Sequence, residues 1–131
     1  MNRVKLRENT FKLLFCNEFH EKEDMPKQYE LFWDNLDQVD DKDREYIENR
    51  VNSVADKIND IDKQINKVAV KWSTDRMSKV DLTILRLAYF EMKEDDDIPE
   101  KVAVDQAVEL AIKYGSDESP SFINGILAKL F

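Results

Sequence analysis

The sequence predicts an all-α protein. It contains only 2 glycines and 3 prolines in 131 residues, so turns are few and helices are long. Apolar residues recur at helical spacing in several segments, and no segment shows the alternation of a β-strand. Charged residues make up 37% of the chain and are spread along it, as in amphipathic helices that face water. The length suits one domain, residues 1–131, with its own core.

The segment Ser78–Met92 predicts the central helix. After Lys79 and Asp81 at its start, its only charged residues are Arg86 and Glu91. Ser78 and Asp81 precede the run at the spacing of a capping box, with Asp in place of Glu. A helix that is apolar over most of its circumference must be surrounded by other helices.

Six further helices are predicted, which makes about seven in total. The first covers 3–19, with Val4, Phe11 and Phe15 on one apolar stripe. Four others are expected from Pro26 to about Leu36, at about 42–58, at about 61–71 and at about 103–114. Tyr46 is assigned to the core side of the third helix, and Asn59 and Asp60 are expected to form a corner after it.

The last helix is predicted at 120–130, and two glycines and a tryptophan mark its surroundings. Gly115 is expected to end the preceding helix, and Gly125 is expected to permit close helix packing. Trp72 follows the fourth helix and is interpreted most simply as a core residue over a helix junction. A platform for a ligand is the second interpretation of Trp72.

The charge is distributed unevenly along the chain. The net charge is −8, which disfavours general binding to DNA or to an anionic membrane. Residues 1–15 nevertheless hold four cations (Arg3, Lys5, Arg7 and Lys12) and one acid (Glu8). This patch is either ordinary surface charge or a site where basic side chains and first-turn N–H groups bind an anion.

The residue inventory disfavours an enzyme. One histidine (His20) and one cysteine (Cys16) cannot form a nucleophilic triad or a metal cluster, so no catalytic group and no metal or other cofactor is predicted. Two glycines cannot form a phosphate-binding loop. The apolar runs are too short to span a bilayer, and no signal-like segment follows the start, so a cytoplasmic location is expected.

The C-terminal half resembles the NusB family of bacterial transcription antitermination factors. The resemblance rests on RMSKVDLTILRLAYFEM (76–92), IPEKVAVDQAVELAIKYG (98–115) and SFINGIL (121–127), in the order and near the spacing of the family. A weaker match, KLRENTFKLLF (5–15), resembles the arginine-rich opening of the family. The resemblance implies two packed helical bundles.

It also implies a function and its partners. NusB proteins pair with ribosomal protein NusE, bind the boxA element of nascent RNA and join RNA polymerase and other Nus factors to suppress termination. By position, Arg3, Lys5, Arg7 and Phe122 match RNA-binding residues, and Phe15 and Asp81 match residues that face NusE. The net charge argues against a DNA or membrane partner, and the resemblance allows a homodimer.

Several alternatives remain open from the residues alone. Phe122 suits the core equally well, Asp81 suits the cap of the central helix, and Phe15 is expected to be partly core. A helical adaptor that binds no RNA is the main competing function. A targeting module for a separate RNA methyltransferase subunit is a remote one.

Overall fold

In a computed structural model that describes residues 1–130, the chain folds into seven α-helices, with no strand in that range. The helices are α1 (Arg3–Asn17), α2 (Met25–Asp34), α3 (Asp41–Asp56), α4 (Ile58–Val68), α5 (Lys79–Glu94), α6 (Glu100–Tyr114) and α7 (Ser119–Ala128). Short 3₁₀ turns occupy Lys22–Asp24 and Thr74–Arg76. The predicted all-α class and the helix number are therefore confirmed. None of these helices is long and apolar enough to cross a membrane.

Helix boundaries differ from the prediction by one to three residues at most ends. The largest differences, of three residues each, are at both ends of α4 and at the start of α6. Asn59 and Asp60 do not form a corner, because they lie in the first turn of α4, where a helix readily accepts polar residues. Pro99 occupies the N-cap of α6, so that helix begins at Glu100 instead of 103.

The chain divides into two compact units. The first, Met1–Asp56, packs α1 against α2 and α3. Leu13 of α1, Trp33 of α2 and Val51 of α3 are among its buried side chains. Val4 and Tyr46, which the sequence pattern assigned to the apolar side of their helices, are instead exposed.

The second unit begins at Lys57 and is built around α5. All seven residues from Leu82 to Ala88 are buried, and α4, α6 and α7 each pack against this helix. A helix with a single buried face would alternate buried and exposed residues within each turn. The predicted central helix, surrounded by other helices, is confirmed.

The start of α5 is capped on one side only. The Asp81 N–H donates a hydrogen bond to Ser78 Oγ at 3.1 Å, which fulfils the predicted N-cap. The reciprocal bond of a capping box is absent in the described chain. The Asp81 Oδ1 atom is buried there and has no hydrogen-bond partner.

Arg86 is the buried charge at the centre of α5. Its side chain is paired with Asp62 of α4 through two hydrogen bonds, Nε to Oδ1 at 2.9 Å and a terminal guanidinium nitrogen to Oδ2 at 2.8 Å. This two-pronged geometry is the strongest form of an arginine–carboxylate pair. A buried cation without such a partner is strongly destabilising, so this pair fixes α4 against α5.

We expect Asp62→Ala to lower the free energy of unfolding by about 3 kcal/mol, because it removes the opposite charge and the two hydrogen bonds that Asp62 provides to buried Arg86. Urea denaturation followed by circular dichroism measures the change. Lys63→Ala, which removes an exposed charge from the middle of the same helix, serves as the control and should change stability by less than about 0.5 kcal/mol. Equal stability of the two variants would contradict the role given to the pair.

The two glycines lie in different surroundings, and only one of the positions requires a glycine. Gly115 ends α6 as predicted, with an extended backbone (φ −91°) that any residue can adopt. Glycine is required there for space, because a Cβ atom would lie 2.6 Å from the side chain of Ser119. At Gly125 a Cβ would meet nothing within 4 Å, so the prediction that this glycine permits close packing is wrong.

This contrast predicts opposite effects of the same substitution. Gly115→Ala should destabilise the protein by roughly 1–3 kcal/mol through overpacking against Ser119. Gly125→Ala should stabilise it by about 1 kcal/mol, because alanine favours a helix interior and the added methyl group meets open space. Paired urea titrations test both, and a Gly125→Ala variant that is less stable than the parent would show that the space is filled.

Candidate nucleic-acid interface

The cations predicted to bind RNA begin helix α1. Arg3 and Lys5 are exposed on its first turn. Asn2, which the sequence analysis did not single out, is the N-cap, and its side-chain oxygen accepts a hydrogen bond from the Lys5 N–H at 2.9 Å. One first-turn N–H group is therefore already used, so an anion bound here depends mainly on the side chains.

The remaining charges of this patch are partly neutralised. Arg7 is only 9% exposed and has interaction partners inside the protein. The Lys5 and Lys12 ammonium groups lie 3.5 and 4.0 Å from the same oxygen of Glu8. Of the three predicted RNA-binding cations, Arg3 and Lys5 are the two that solvent reaches freely.

Phe15 lies near the end of the same helix, in a ladder of three phenylalanines. Its ring centroid is 6.3 Å from that of buried Phe11 and 5.1 Å from that of Phe19 in an edge-on arrangement. Phe15 is half-buried, and Phe19 is 59% exposed. The predicted partner residue thus belongs to an apolar surface that continues to Phe19, which the sequence analysis missed although it lies one helical turn beyond Phe15.

Asp81 and Phe122 line one groove in the second unit, which we call the Asp81 groove. Its volume is about 230 Å³, and its other lining residues include Trp72, Arg76 and Glu118. The resemblance assigned Asp81 to NusE and Phe122 to RNA. The structure places both at this one groove and leaves both half-buried.

A neighbouring groove, which we call the Trp72 groove, shares Trp72 and Phe122 with the first. Its volume is about 330 Å³, and Lys71, Gly125 and Lys129 are among its other lining residues. Trp72 is 52% exposed, so its interpretation as a core residue is wrong. The sequence contains a sign of this exposure, because Val70–Trp72 places a cation and an aromatic residue side by side in the link between two helices.

The predicted site residues thus fall into two sets. Arg3, Lys5, Arg7 and Phe15 all lie on α1, in the first unit. Asp81 and Phe122 lie in the second unit, at the N-terminal ends of α5 and α7. Each set is assembled within its own unit.

Comparison with known proteins identifies the family. The NusB family model matches residues 4–131. The chain belongs to the NusB family. Relatives named transcription antitermination protein NusB include that of Agathobacter rectalis, 48% identical over 129 residues (98% of either chain), and that of Lachnoclostridium phytofermentans, 43% identical over 130 residues (99% of this chain and 98% of the relative).

Solved structures of the NusB fold agree with this assignment. A NusB structure from T. maritima matches with a TM-score of 0.86 at 35% identity, over 99% of this chain and 90% of that one. A second match, with a TM-score of 0.79 over 99% of this chain and 97% of that one, comes from a crystal structure of the antitermination factors NusB and NusE with double-stranded RNA. At 23% identity, this second likeness supports the fold alone.

Another groove of this NusB-family protein lies in its first unit and shows no catalytic arrangement. It has a volume of about 770 Å³ and is lined by residues that include His20, Tyr29, Trp33 and Glu48. The Tyr29 hydroxyl donates to Asn52 Oδ1 at 2.9 Å, and the Trp33 indole N–H donates to Glu48 Oε2 at 2.7 Å. These bonds join α2 to α3, so the polar groups of the groove hold the unit together.

Two pKa values near this groove are shifted away from reactive states. Burial raises the pKa of the Cys16 thiol, which favours the unreactive protonated form. Burial is the main cause that raises the pKa of Tyr29 to about 12, and the charges of Glu48 and of ionised Cys16 contribute in the same direction. In residues 1–130, no group of three or more histidine, cysteine or acidic side chains is arranged to hold a metal ion.

The Tyr29 shift predicts a loss of stability at alkaline pH. An unfolded tyrosine ionises near pH 10, whereas folded Tyr29 stays neutral up to about pH 12. The unfolded state therefore loses its proton first, and the free energy of unfolding should fall as pH rises from about 10 to about 12. Urea titrations across this range measure the slope, which Tyr29→Phe should reduce and Tyr46→Phe, at an exposed site, should not.

Proposed function

We propose that this NusB-family protein is a transcription antitermination factor that acts in the cytoplasm. With ribosomal protein NusE it binds single-stranded boxA RNA in nascent ribosomal RNA transcripts. The pair then joins RNA polymerase and other Nus factors. This function is one of binding and assembly and requires no catalytic group from the chain.

The relatives support this function. Proteins that match almost the whole chain at 43–48% identity carry the name transcription antitermination protein. A protein of the same fold was crystallised with NusE and double-stranded RNA. These matches support RNA and NusE as the classes of partner.

The observation that carries the proposal is the exposure of Arg3 and Lys5 at the start of α1, on a protein of net charge −8. Cations in a first turn oppose the helix dipole and slightly destabilise the helix. An anionic partner reverses this penalty. Arginine can pair with a phosphate through two hydrogen bonds, and lysine provides a point charge.

The other predicted residues suit the proposed partners in different ways. Phe122 is half-buried and lines two grooves, so its ring is accessible for stacking on an unpaired base. Phe15 contributes to the apolar surface that ends at Phe19, which suits a protein partner. Asp81 is half-buried and lines the Asp81 groove, so its carboxylate group lies at a surface where a donor from NusE can dock.

One observation favours the competing function, an adaptor that binds no RNA. Arg7 is buried, and Glu8 offsets part of the charge of Lys5 and Lys12. A weak patch of this kind suits a site that depends on a second protein for affinity. It also suits a surface that docks an acidic protein, so RNA binding must be measured directly.

The test is fluorescence anisotropy of a labelled boxA RNA, with and without NusE, across a series of salt concentrations. We expect NusE to tighten binding, and added salt to weaken it by ~0.7 log units in K per tenfold salt for each phosphate contact. The double variant Arg3→Ala/Lys5→Ala removes two cations, so its salt slope should be shallower by about 1.4. A boxA duplex should bind more weakly than the single strand, because its bases are not free to stack.

The matched control is Lys27→Ala/Lys42→Ala, which removes two exposed cations from α2 and α3 of the same unit. This control should bind RNA with the affinity and salt slope of the parent. Absence of RNA binding by the parent in the presence of NusE would reject the proposed function in favour of the adaptor. If the salt dependence of RNA binding is unchanged in Arg3→Ala/Lys5→Ala, these two cations do not contact the RNA.

A further inference from the structure

We propose that the Trp72 groove is a second contact for single-stranded RNA, in which a base stacks on Trp72 and the backbone lies along Lys71 and Lys129. This inference rests on the proposed function and extends it to residues that the sequence resemblance did not assign. It follows from the exposure of Trp72, from the shape of the groove and from its charge.

Trp72 is held in an exposed position by the residues around it. The link between α4 and α5 is anchored at buried Ala69 and at buried Thr74. The Thr74 N–H donates to Asn66 Oδ1 at 2.8 Å, and the Asn66 amide donates to Thr74 Oγ1 at 3.2 Å. A segment fixed at both ends presents its middle residues at little additional cost in conformational entropy on binding.

The indole ring is itself oriented by a cation. The Arg76 guanidinium lies over the Trp72 ring, 5.7 Å from its centroid. Such a cation–π contact restrains the ring in solvent. Arg76 lines only the Asp81 groove, whereas Trp72 lines both grooves, so the indole is also accessible from the Trp72 groove.

The opposite wall of the Trp72 groove comes from α7. Phe122, Gly125, Ile126 and Lys129 line it, and a Cβ atom at Gly125 would meet nothing within 4 Å. The missing side chain therefore leaves room beside the two aromatic rings. A groove of about 330 Å³ lies at the small end of the range of ~300–1,000 Å³ for small-molecule sites, which suits one planar group and its immediate attachment.

The charge of this groove selects an anionic occupant. Lys71 and Lys129 are exposed, and neither forms an ion pair with residues 1–130. Among residues 1–130, no acidic side chain lines the Trp72 groove, whereas Asp81 and Glu118 line its neighbour. Aromatic rings beside uncompensated lysines, on a protein of net charge −8, match the base and phosphate of a single strand.

The test measures the binding of labelled boxA RNA by fluorescence anisotropy in the presence of NusE. Trp72→Ala should weaken binding by about 5- to 100-fold, as expected for loss of one base–aromatic stack, and Trp72→Phe should restore most of it. Lys71→Ala/Lys129→Ala should make the salt slope shallower by about 1.4. Ile112→Ala and Lys101→Ala, which truncate exposed side chains of α6 in the same unit, are the controls and should bind as the parent does.

A second variant fills the groove without removing a contact. Gly125→Leu should keep or raise the urea midpoint, because leucine favours the helix interior and the position is open. It should nevertheless weaken RNA binding, whereas the smaller Gly125→Ala should have less effect. This pair separates loss of the groove from loss of folding.

Direct evidence comes from tryptophan fluorescence. Trp33 is buried and Trp72 exposed, so a Trp33→Phe variant leaves Trp72 as the only tryptophan of the chain. Because Trp33 bonds to Glu48, circular dichroism must first show that this variant folds as the parent does. With RNA added to this variant and NusE, its emission should be quenched over the same concentrations at which anisotropy rises. NusE and RNA mixed without the variant provide the baseline.

The outcomes distinguish this inference from the function it extends. If the parent binds RNA and Arg3→Ala/Lys5→Ala weakens binding, but all variants of the Trp72 groove bind as the parent does, the inference is wrong and the function stands. If the parent binds no RNA with NusE, both are wrong. If Trp72→Ala abolishes binding of labelled NusE in the absence of RNA, the groove docks protein and the inference is overturned.

Discussion

The burial of α5 is the constraint on which the second unit depends. The consecutive buried residues Leu82–Ala88 cover the whole circumference of the helix, so no orientation leaves one face to water. Helices α4, α6 and α7 provide the cover, and the Arg86–Asp62 pair fixes how α4 lies. The grooves follow from this arrangement. The link that carries Trp72 connects α4 to α5, and α7, which carries Phe122, packs on α5 as well.

The sequence predicts the helices well because their signals are local. Ser78 caps α5, Gly115 ends α6, and apolar spacing identifies each helix between such marks. The errors concern side chains whose burial depends on a neighbouring helix. Tyr46 lies on the apolar stripe of α3 but is exposed, because the helices packed against α3 cover only part of that stripe. Gly125 is open to solvent for the same kind of reason, since spacing alone does not reveal which side of α7 is uncovered.

The sequence predicts which residue types form the candidate site, but it does not predict which of those side chains are exposed. Arg3 and Arg7 are equivalent in the sequence, one helical turn apart, yet Arg3 is exposed and Arg7 is buried with partners. Trp72 shows the opposite error, because a tryptophan at a helix junction is ordinarily assigned to the core. Its exposure is imposed by the buried anchors on both sides, Ala69 and Thr74, and by the Asn66 hydrogen bonds. Those contacts join residues whose types alone give no sign of pairing.

The distribution of charge bears on the proposed binding of RNA. A net charge of −8 repels a polyanion at long range, so attraction is confined to short distances where individual cations are uncompensated. With few phosphate contacts, most of the remaining free energy must come from stacking, which added salt affects little. Stacking requires unpaired bases, and a duplex offers its phosphates while it hides its base faces. Under the proposed function, an acidic surface that combines a few exposed cations with aromatic rings would favour single strands over duplexes by the same physics that limits its affinity. Contacts contributed by a second protein would raise that affinity without loss of the preference.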